Sequence, residues 1–142
     1  MNRDLLAQIL ERYRRGDTDL AGALTALKDF PSASLGGYAQ LDTHRELRTG
    51  HPEVIYCAGK TPAQVRGILE RLLAGKSAIL ATRATEEQWL AAKTLSPALA
   101  YDPISRTIVR RTKSASKTAR KYVAIVAAGT SDLPVAEEAA VT

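Results

Sequence analysis

The strand, helix and strand pattern of residues 54–82 constrains the fold of this chain more than any other feature. A short β-branched and aromatic run, Val54-Ile55-Tyr56-Cys57, precedes Thr61-Pro62-Ala63-Gln64, which combines a capping box with proline at the first helical position. An apolar stripe at helical spacing follows, and a second apolar run occupies residues 77–82. Because strands joined through a helix run parallel, the pattern predicts a βαβ unit.

Patterns on both sides of this unit predict an α/β fold, with an α+β N-terminal domain built on a mixed sheet. Before it, apolar residues at helical spacing predict one helix that ends at Gly16 and a second that begins at Asp17 or Thr18. After it, Thr85-Glu86-Glu87-Gln88 repeats the capping box and starts a shorter helix. The remaining strands are predicted at residues 38–41, 99–101 and 107–110.

The C-terminal segment predicts the beginning of a nucleotide-binding unit. An apolar run, residues 122–128, predicts a strand, and Gly129-Thr130-Ser131-Asp132 predicts a tight turn before a helix that starts near Pro134. We expect Ser131 or Asp132 to cap that helix. Free N–H groups at such a helix start bind nucleotide phosphates, and an acid on the turn suits ribose hydroxyls. An ordinary capped βα turn has the same residues, and the sequence leaves both interpretations open.

The connector between residues 41 and 54 holds seven ionisable side chains beside a strand end. Arg45 and Arg48 stand one helical turn apart, which favours a joint grip on a phosphate or carboxylate, with Asp42 and Glu46 orienting them. A solvated turn with surface ion pairs is the alternative. The acids and histidines lack the tight spacing of metal ligands, so we predict no metal site.

Two residues of the βαβ unit also bear on function. Lys60 lies at a strand-to-helix turn, where it suits an ion pair with Glu53, contact with a ligand anion, or solvation. Gly59-Lys60-Thr61 is not a P-loop, because Val54 stands where that motif needs its first glycine. Cys57 lies in an apolar strand without a base partner, which predicts a buried structural thiol rather than a nucleophile.

Composition narrows the functional class. The single cysteine excludes an intramolecular disulfide and indicates a reducing compartment, and no apolar run approaches the ~20 residues that span a bilayer, so we expect a cytoplasmic protein without membrane contact. The net charge of +5 is concentrated between Asp102 and Asp132, where no acid occurs. A solvated linker or a nucleic-acid-binding module fits that stretch, and missing aromatic interleaving argues against nucleic acid. The basic residues concerned are Arg106, Arg110, Arg111, Lys113, Lys117, Arg120 and Lys121.

Two long blocks in this order, residues 41–62 and 128–139, resemble the LarB family, the carboxylase/hydrolases that make pyridinium-3,5-biscarboxylic acid mononucleotide in nickel-pincer cofactor biosynthesis. Thr82-Arg83 after the middle strand also fits. The resemblance implies an N-terminal α+β domain followed by a parallel-sheet, three-layer domain similar to phosphoribosylaminoimidazole carboxylase. We therefore expect four segments: a helix hairpin at 1–35, a mixed α/β domain at 36–111, a linker at 112–121 and a truncated strand-turn-helix at 122–142.

The resemblance also implies an activity. Family members take nicotinic acid adenine dinucleotide, carboxylate its pyridinium ring with CO2 or bicarbonate as co-substrate, and hydrolyse the phosphoanhydride to release AMP. They carry no covalently bound cofactor, and the resemblance leaves open whether a divalent metal such as magnesium is required. It also implies homo-oligomers that form through the carboxylase-like domain. By the family pattern, Gly129, Thr130, Ser131 and Asp132 form the nucleotide-binding turn. Asp42, Arg45, Arg48, Glu53 and Lys60 belong to an N-terminal signature.

This sequence departs from the family in one respect. The family's catalytic cysteine lies beyond the position of Thr142, and Cys57 does not match it, so the catalytic residues are unknown. We therefore expect a fragment that is inactive by itself. A relative of the purine-pathway carboxylase is the alternative within enzymes, and the basic nucleic-acid-binding module is the alternative from another class.

Overall fold

A computed structural model describes residues 3–27, 32–111 and 123–142. The chain divides into two compact units, Met1–Glu53 and Val54–Thr142. The helices are α1 (Arg3–Arg15), α2 (Leu20–Ala26), α3 (Arg45–Thr49), α4 (Pro62–Leu73), α5 (Glu86–Ala92) and α6 (Leu133–Val141). The strands are β1 (Ser32–Leu35), β2 (Ala39–Asp42), β3 (Val54–Tyr56), β4 (Ile79–Thr82), β5 (Ala100–Asp102) and β6 (Thr107–Arg110). Helices with a mixed sheet confirm the predicted α/β class. The predicted domain boundaries stay predictions, and the predicted linker, 112–121, lies outside the described residues.

The first unit begins with the predicted pair of helices. Helix α1 ends at Gly16, whose φ of +79° lies in the left-handed region that glycine favours. The predicted start of α2 at Asp17 or Thr18 is wrong, because Asp19 is the cap and its carboxylate accepts the Gly22 N–H at 2.7 Å. All three residues are suitable caps, so sequence alone did not separate them.

A β-hairpin and a short helix complete that unit. Strand β2 was predicted, but its antiparallel partner β1 was not, because Ser32-Ala33-Ser34 has the composition of a loop. Helix α3 follows β2 within the charged connector and ends at Gly50, which has a φ of +77°. The connector is therefore partly helical.

A four-stranded sheet of order β3-β4-β6-β5 forms the second unit. Strands β3 and β4 are parallel and joined through α4, which confirms the predicted βαβ unit. The β4–β6 and β6–β5 pairs are antiparallel. Ile68 and Leu69 of α4 and Ile108 of β6 are fully buried, so the helix's apolar stripe lies in the core of this unit.

Both predicted capping boxes form at helix starts in the second unit. The Thr61 hydroxyl accepts the Gln64 N–H while the Gln64 amide oxygen accepts the Thr61 N–H. The Thr85 and Gln88 pair repeats these two hydrogen bonds at α5. Sequence predicted these helix starts because each box involves only residues three positions apart.

Arg110 at the end of β6 completes the other end of α4. Its guanidinium donates to the backbone carbonyls of Leu73, Gly75 and Ser77, which follow or end that helix. Burial lowers the pKa of Arg110. This arginine, which the sequence placed in a basic stretch for an anionic partner, therefore stabilises a helix C-terminus.

The C-terminal segment differs from its prediction. Residues 123–128 form no strand, and no described strand hydrogen-bonds to them; Val123 and Val126 are 90% and 91% exposed. An apolar run becomes a strand only where a neighbour supplies hydrogen bonds. A 3₁₀ turn, Thr130–Asp132, then leads into α6, with Pro134 in its first turn as predicted.

Candidate anion-binding sites

Asp42 and Arg48 form the centre of a charged cluster in the first unit. Arg48 Nη2 lies 2.6 Å from Asp42 Oδ2, and Nη1 lies 3.4 Å from Oδ1. Asp42 Oδ1 also accepts the His44 N–H at 3.0 Å, so the carboxylate is fixed from two sides. Hydrogen bonding by Arg48 lowers the pKa of Asp42, which keeps the pair charged. Asp42 therefore holds the Arg48 guanidinium in one position.

Glu53 lies beside the same group of charges. Burial raises the pKa of Glu53; the Arg45 charge opposes that shift and the Asp42 charge adds to it. The backbone N–H of Asp42 hydrogen-bonds to this carboxylate, yet Glu53 Oε2 is buried without a partner among the described residues. The cluster thus contains one firmly charged acid and one acid that is easier to protonate.

Both arginines of this cluster are exposed, and Arg45 differs from Arg48 in having no ion-pair partner among the described residues. No described residue hydrogen-bonds to the Arg45 guanidinium either, although the charge of Glu53 lies near it. A guanidinium with open N–H groups beside a fixed Arg48–Asp42 pair is suited to a phosphate or carboxylate. The structure therefore brings together Asp42, Arg45, Arg48 and Glu53, four of the five signature residues.

Lys60, the fifth signature residue, lies in the second unit on the turn between β3 and α4. Its N–H donates to the Cys57 carbonyl at 3.1 Å, and Gly59 before it has a φ of +78°. The buried Gln88 amide donates to the carbonyls of Cys57 at 3.1 Å and Lys60 at 2.7 Å. The turn that carries Lys60 is therefore held by a side chain that the sequence showed only as a capping residue.

Cys57 is a structural residue in this arrangement. Its side chain is fully buried, and burial raises the pKa of the thiol to about 11, with the Lys60 charge opposing the shift. A thiol with so high a pKa is a poor nucleophile at neutral pH. The prediction of a buried structural thiol agrees with this environment.

The Gly129–Asp132 turn lies on the surface of the second unit. Gly129 is extended, with φ of −119° and ψ of 151°, so it does not use the freedom that the sequence prediction attributed to it. No side chain caps α6 or the 3₁₀ turn, so the expected cap by Ser131 or Asp132 is wrong. The Ser131 and Asp132 oxygens instead lie close to Gly129. Thr130, Ser131 and Asp132 are exposed.

An open apolar cleft of about 380 Å³ lies behind this turn. Residues 125–128 form one wall, and Val135, Ala136 and Ala139 of α6 form the other, with Asp132 at one end. The cleft is lined by one acid and by apolar side chains, so among its described residues it offers no cation for a phosphate. The donors that the turn offers to an anion are its backbone N–H groups and the exposed hydroxyls of Thr130 and Ser131.

The charged cluster and the Lys60 turn lie within a region that matches a known protein family. Residues 33–113 match the profile of the LarB/PurE-like N-terminal domain. The chain belongs to the LarB/PurE-like N-terminal domain family. The predicted family resemblance is confirmed. The match covers the Asp42, Arg45, Arg48 and Glu53 cluster and Lys60, whereas the Gly129–Asp132 turn lies outside it.

A related sequence extends the comparison beyond the LarB/PurE-like domain. An uncharacterized protein of Methanocaldococcus jannaschii is 29% identical to this chain over 139 residues, which cover 94% of this chain and 54% of that protein. The chain thus spans about half the length of the curated relative that it matches.

Residues 3–27, 32–111 and 123–142 contain no group of three or more His, Cys, Asp and Glu side chains arranged to hold a metal ion. No helix within the described ranges has the length and apolar composition needed to cross a bilayer.

Proposed function

We propose that this chain is part of a carboxylase/hydrolase that acts on nicotinic acid adenine dinucleotide in nickel-pincer cofactor biosynthesis. In this reaction CO2 or bicarbonate supplies a second carboxyl group to the pyridinium ring, and water cleaves the phosphoanhydride to release AMP. The match to the LarB/PurE-like N-terminal domain over residues 33–113 is the single observation that carries the proposal. The charged cluster of the first unit supports it, because the substrate carries two phosphates and a carboxylate.

The residues of this chain serve binding in the proposal. Arg45 contacts an anionic group of the dinucleotide. Asp42 holds Arg48 in a position from which its guanidinium donates a second hydrogen bond to that group. Lys60 and the backbone N–H groups near residues 129–132 are the further anion contacts that we assign to the whole protein. Glu53 adjusts the charge of the cluster. Because Cys57 is buried, we assign the nucleophile to residues outside this sequence.

The test of the proposal uses the full-length protein from the same coding region. We expect nicotinic acid adenine dinucleotide with labelled bicarbonate to give a labelled pyridinium mononucleotide and AMP. A parallel reaction contains aminoimidazole ribotide, the substrate of the purine-pathway carboxylase. Labelled product from the ribotide alone would overturn the proposal in favour of the second candidate, which the family description as PurE-like supports.

The anion contacts have their own test in the same enzyme. Arg45→Lys keeps one positive charge but loses the planar guanidinium, and we expect it to weaken substrate binding about tenfold. The matched control is Arg71→Lys on α4 in the second unit, outside the proposed contacts, which should leave binding unchanged. Equal binding by the Arg45 variant and the unmodified enzyme would remove Arg45 from the proposed site.

A further inference from the structure

Two arginines have a backbone conformation that side chains with a Cβ rarely adopt. Arg83 directly follows β4 and has a φ of 55°, and Arg106 directly precedes β6 and has a φ of 54°. They lie opposite each other at one end of the sheet, because β4 and β6 pair in antiparallel register with Ala81 opposite Ile108. Backbone strain of this kind persists only where surrounding contacts fix it, and it is concentrated at functional positions.

Ala84 provides those fixing contacts. It is fully buried, and its N–H donates to the Arg106 carbonyl at 2.8 Å. Its carbonyl accepts from Arg106 Nε and from the Tyr101 hydroxyl, each at 3.4 Å, and Tyr101 stacks on Trp89 with ring centroids 5.8 Å apart. The loop is therefore rigidly held at Ala84, and the backbone of Arg83 is fixed with it.

The side chain of Arg83 reaches α6. Arg83 Nε lies 2.8 Å from Glu138 Oε2, and the two side chains are 42% and 21% exposed. Glu138 belongs to the less exposed side of α6, together with Ala136, Glu137 and Val141. The ion pair joins a loop inside the LarB/PurE-like domain to the helix that follows the Gly129–Asp132 turn, outside the family match.

We propose that Arg83 is a positioning residue, which acts through Glu138 to hold α6 and the turn before it against this end of the sheet. The turn has few other restraints, because no side chain caps α6 and no described strand pairs with residues 123–128. Because the backbone of Arg83 is fixed, its side chain extends from a defined position, and the ion pair restricts where Glu138 and α6 can lie. The role of the Gly129–Asp132 turn as a nucleotide contact rests on the proposed function, whereas the positioning of α6 by Arg83 does not.

Amide hydrogen exchange on this chain tests the positioning without any ligand. Arg83→Gly removes the guanidinium and also relieves the left-handed strain, so the sheet is preserved. We expect amide exchange in α6 to accelerate roughly two- to fivefold, the factor that a partly exposed ion pair produces, while α4 exchanges as before. The matched control is Glu137→Gln, which removes the neighbouring carboxylate of α6 and leaves the Arg83–Glu138 ion pair intact. It should leave α6 unchanged.

A charge exchange separates the ion pair from other effects of substitution. Arg83→Glu should accelerate exchange in α6, and adding Glu138→Arg should restore at least part of the protection. Unchanged exchange in α6 for both Arg83→Gly and Glu138→Gln would overturn the inference. Acceleration of α4 and α6 by the same factor would also overturn it, because that result indicates general loss of stability.

The full-length enzyme then tests the link to ligand binding. With nicotinic acid adenine dinucleotide as substrate, Arg83→Gly should raise KM several-fold with little change in kcat, and the charge-exchanged double variant should recover part of the loss. An unchanged KM beside faster exchange in α6 would overturn the assignment of the turn as a nucleotide contact. Failure of the unmodified enzyme to use this substrate contradicts the proposed function, whereas the exchange experiment still decides the role of Arg83.

Discussion

The starts of α4 and α5 differ from the start of α6, although a side-chain cap was predicted at all three. Thr61 and Thr85 form complete capping boxes, whereas Ser131 and Asp132 cap nothing. The strands before α4 and α5 are hydrogen-bonded within the sheet, but residues 123–128 have no described partner strand. The two complete capping boxes thus occur where the sequence supplies both threonine and glutamine and where the preceding strand is hydrogen-bonded. The same difference makes the Gly129–Asp132 turn more open to a ligand and less ordered by its own side chains.

The largest expected effect is the difference in stability loss between a substitution in the core beneath α4 and one in the exposed residues before α6. Leu69→Ala should lower the free energy of unfolding by about 2–5 kcal/mol, because it leaves a cavity at a fully buried position. Val126→Ala, at a position 91% exposed, should change it by less than about 0.5 kcal/mol. Urea denaturation of both variants measures the difference. A comparable loss for Val126→Ala would show that residues 123–128 are buried in solution.

A substitution at Gln88 measures how much the start of α5 stabilises the turn before α4. Gln88→Leu removes both the cap hydrogen bond at α5 and the donors to the Cys57 and Lys60 carbonyls, so we expect a loss of about 1–3 kcal/mol. Gln64→Leu at α4 removes only a cap hydrogen bond and is the matched control. Thermal and urea unfolding should rank Gln88→Leu as the more destabilising. Equal losses would show that the hydrogen bonds to the β3–α4 turn add nothing.

Single cap substitutions sharpen the comparison at the helix starts themselves. Thr85→Ala should cost about 1 kcal/mol, the ordinary value for loss of an N-cap side chain. Ser131→Ala should have almost no effect, because Ser131 does not cap α6. Chemical denaturation gives the first value, and amide exchange in α6 gives a local reading of the second. Faster amide exchange in α6 of the Ser131 variant would show that Ser131 does cap this helix, as the sequence predicted.

The smallest expected effect is a pH dependence in the charged cluster of the first unit. Because the folded-state pKa of Glu53 is raised, its contribution to stability is complete below its ordinary pKa and is lost as pH rises through the raised value. Asp42 has the opposite sign, since its lowered pKa contributes stability that is lost as pH falls through that value.

Urea midpoints near pH 4 and near pH 7 measure this difference. Glu53→Gln should remove the loss of stability on raising the pH, and Glu70→Gln at an exposed position of α4 is the control. An unchanged pH profile in the Glu53 variant would show that the buried oxygen of Glu53 has no effect on folding.

Local signals made much of the second unit predictable. Both capping boxes, the stripe on α4 and the parallel β3–β4 pair follow from spacings of two to four residues and from the length of the connection. The family resemblance also rested on sequence alone, and the match over residues 33–113 confirms it. The charged cluster was partly predictable, because the spacing of Arg45 and Arg48 placed them on one turn of α3.

By itself, the sequence determined the α/β class, the βαβ unit and the two capped helix starts, because those features depend on neighbouring residues. Only the tertiary structure decided that Arg48 is held by Asp42 while Arg45 stays open, that Gln88 supports the Lys60 turn, and that β1 pairs with β2. It also placed Arg83 against Glu138, 55 positions along the chain, and left residues 123–128 without a strand partner among the described residues. Such pairings depend on which distant groups share one environment, and no local spacing records that.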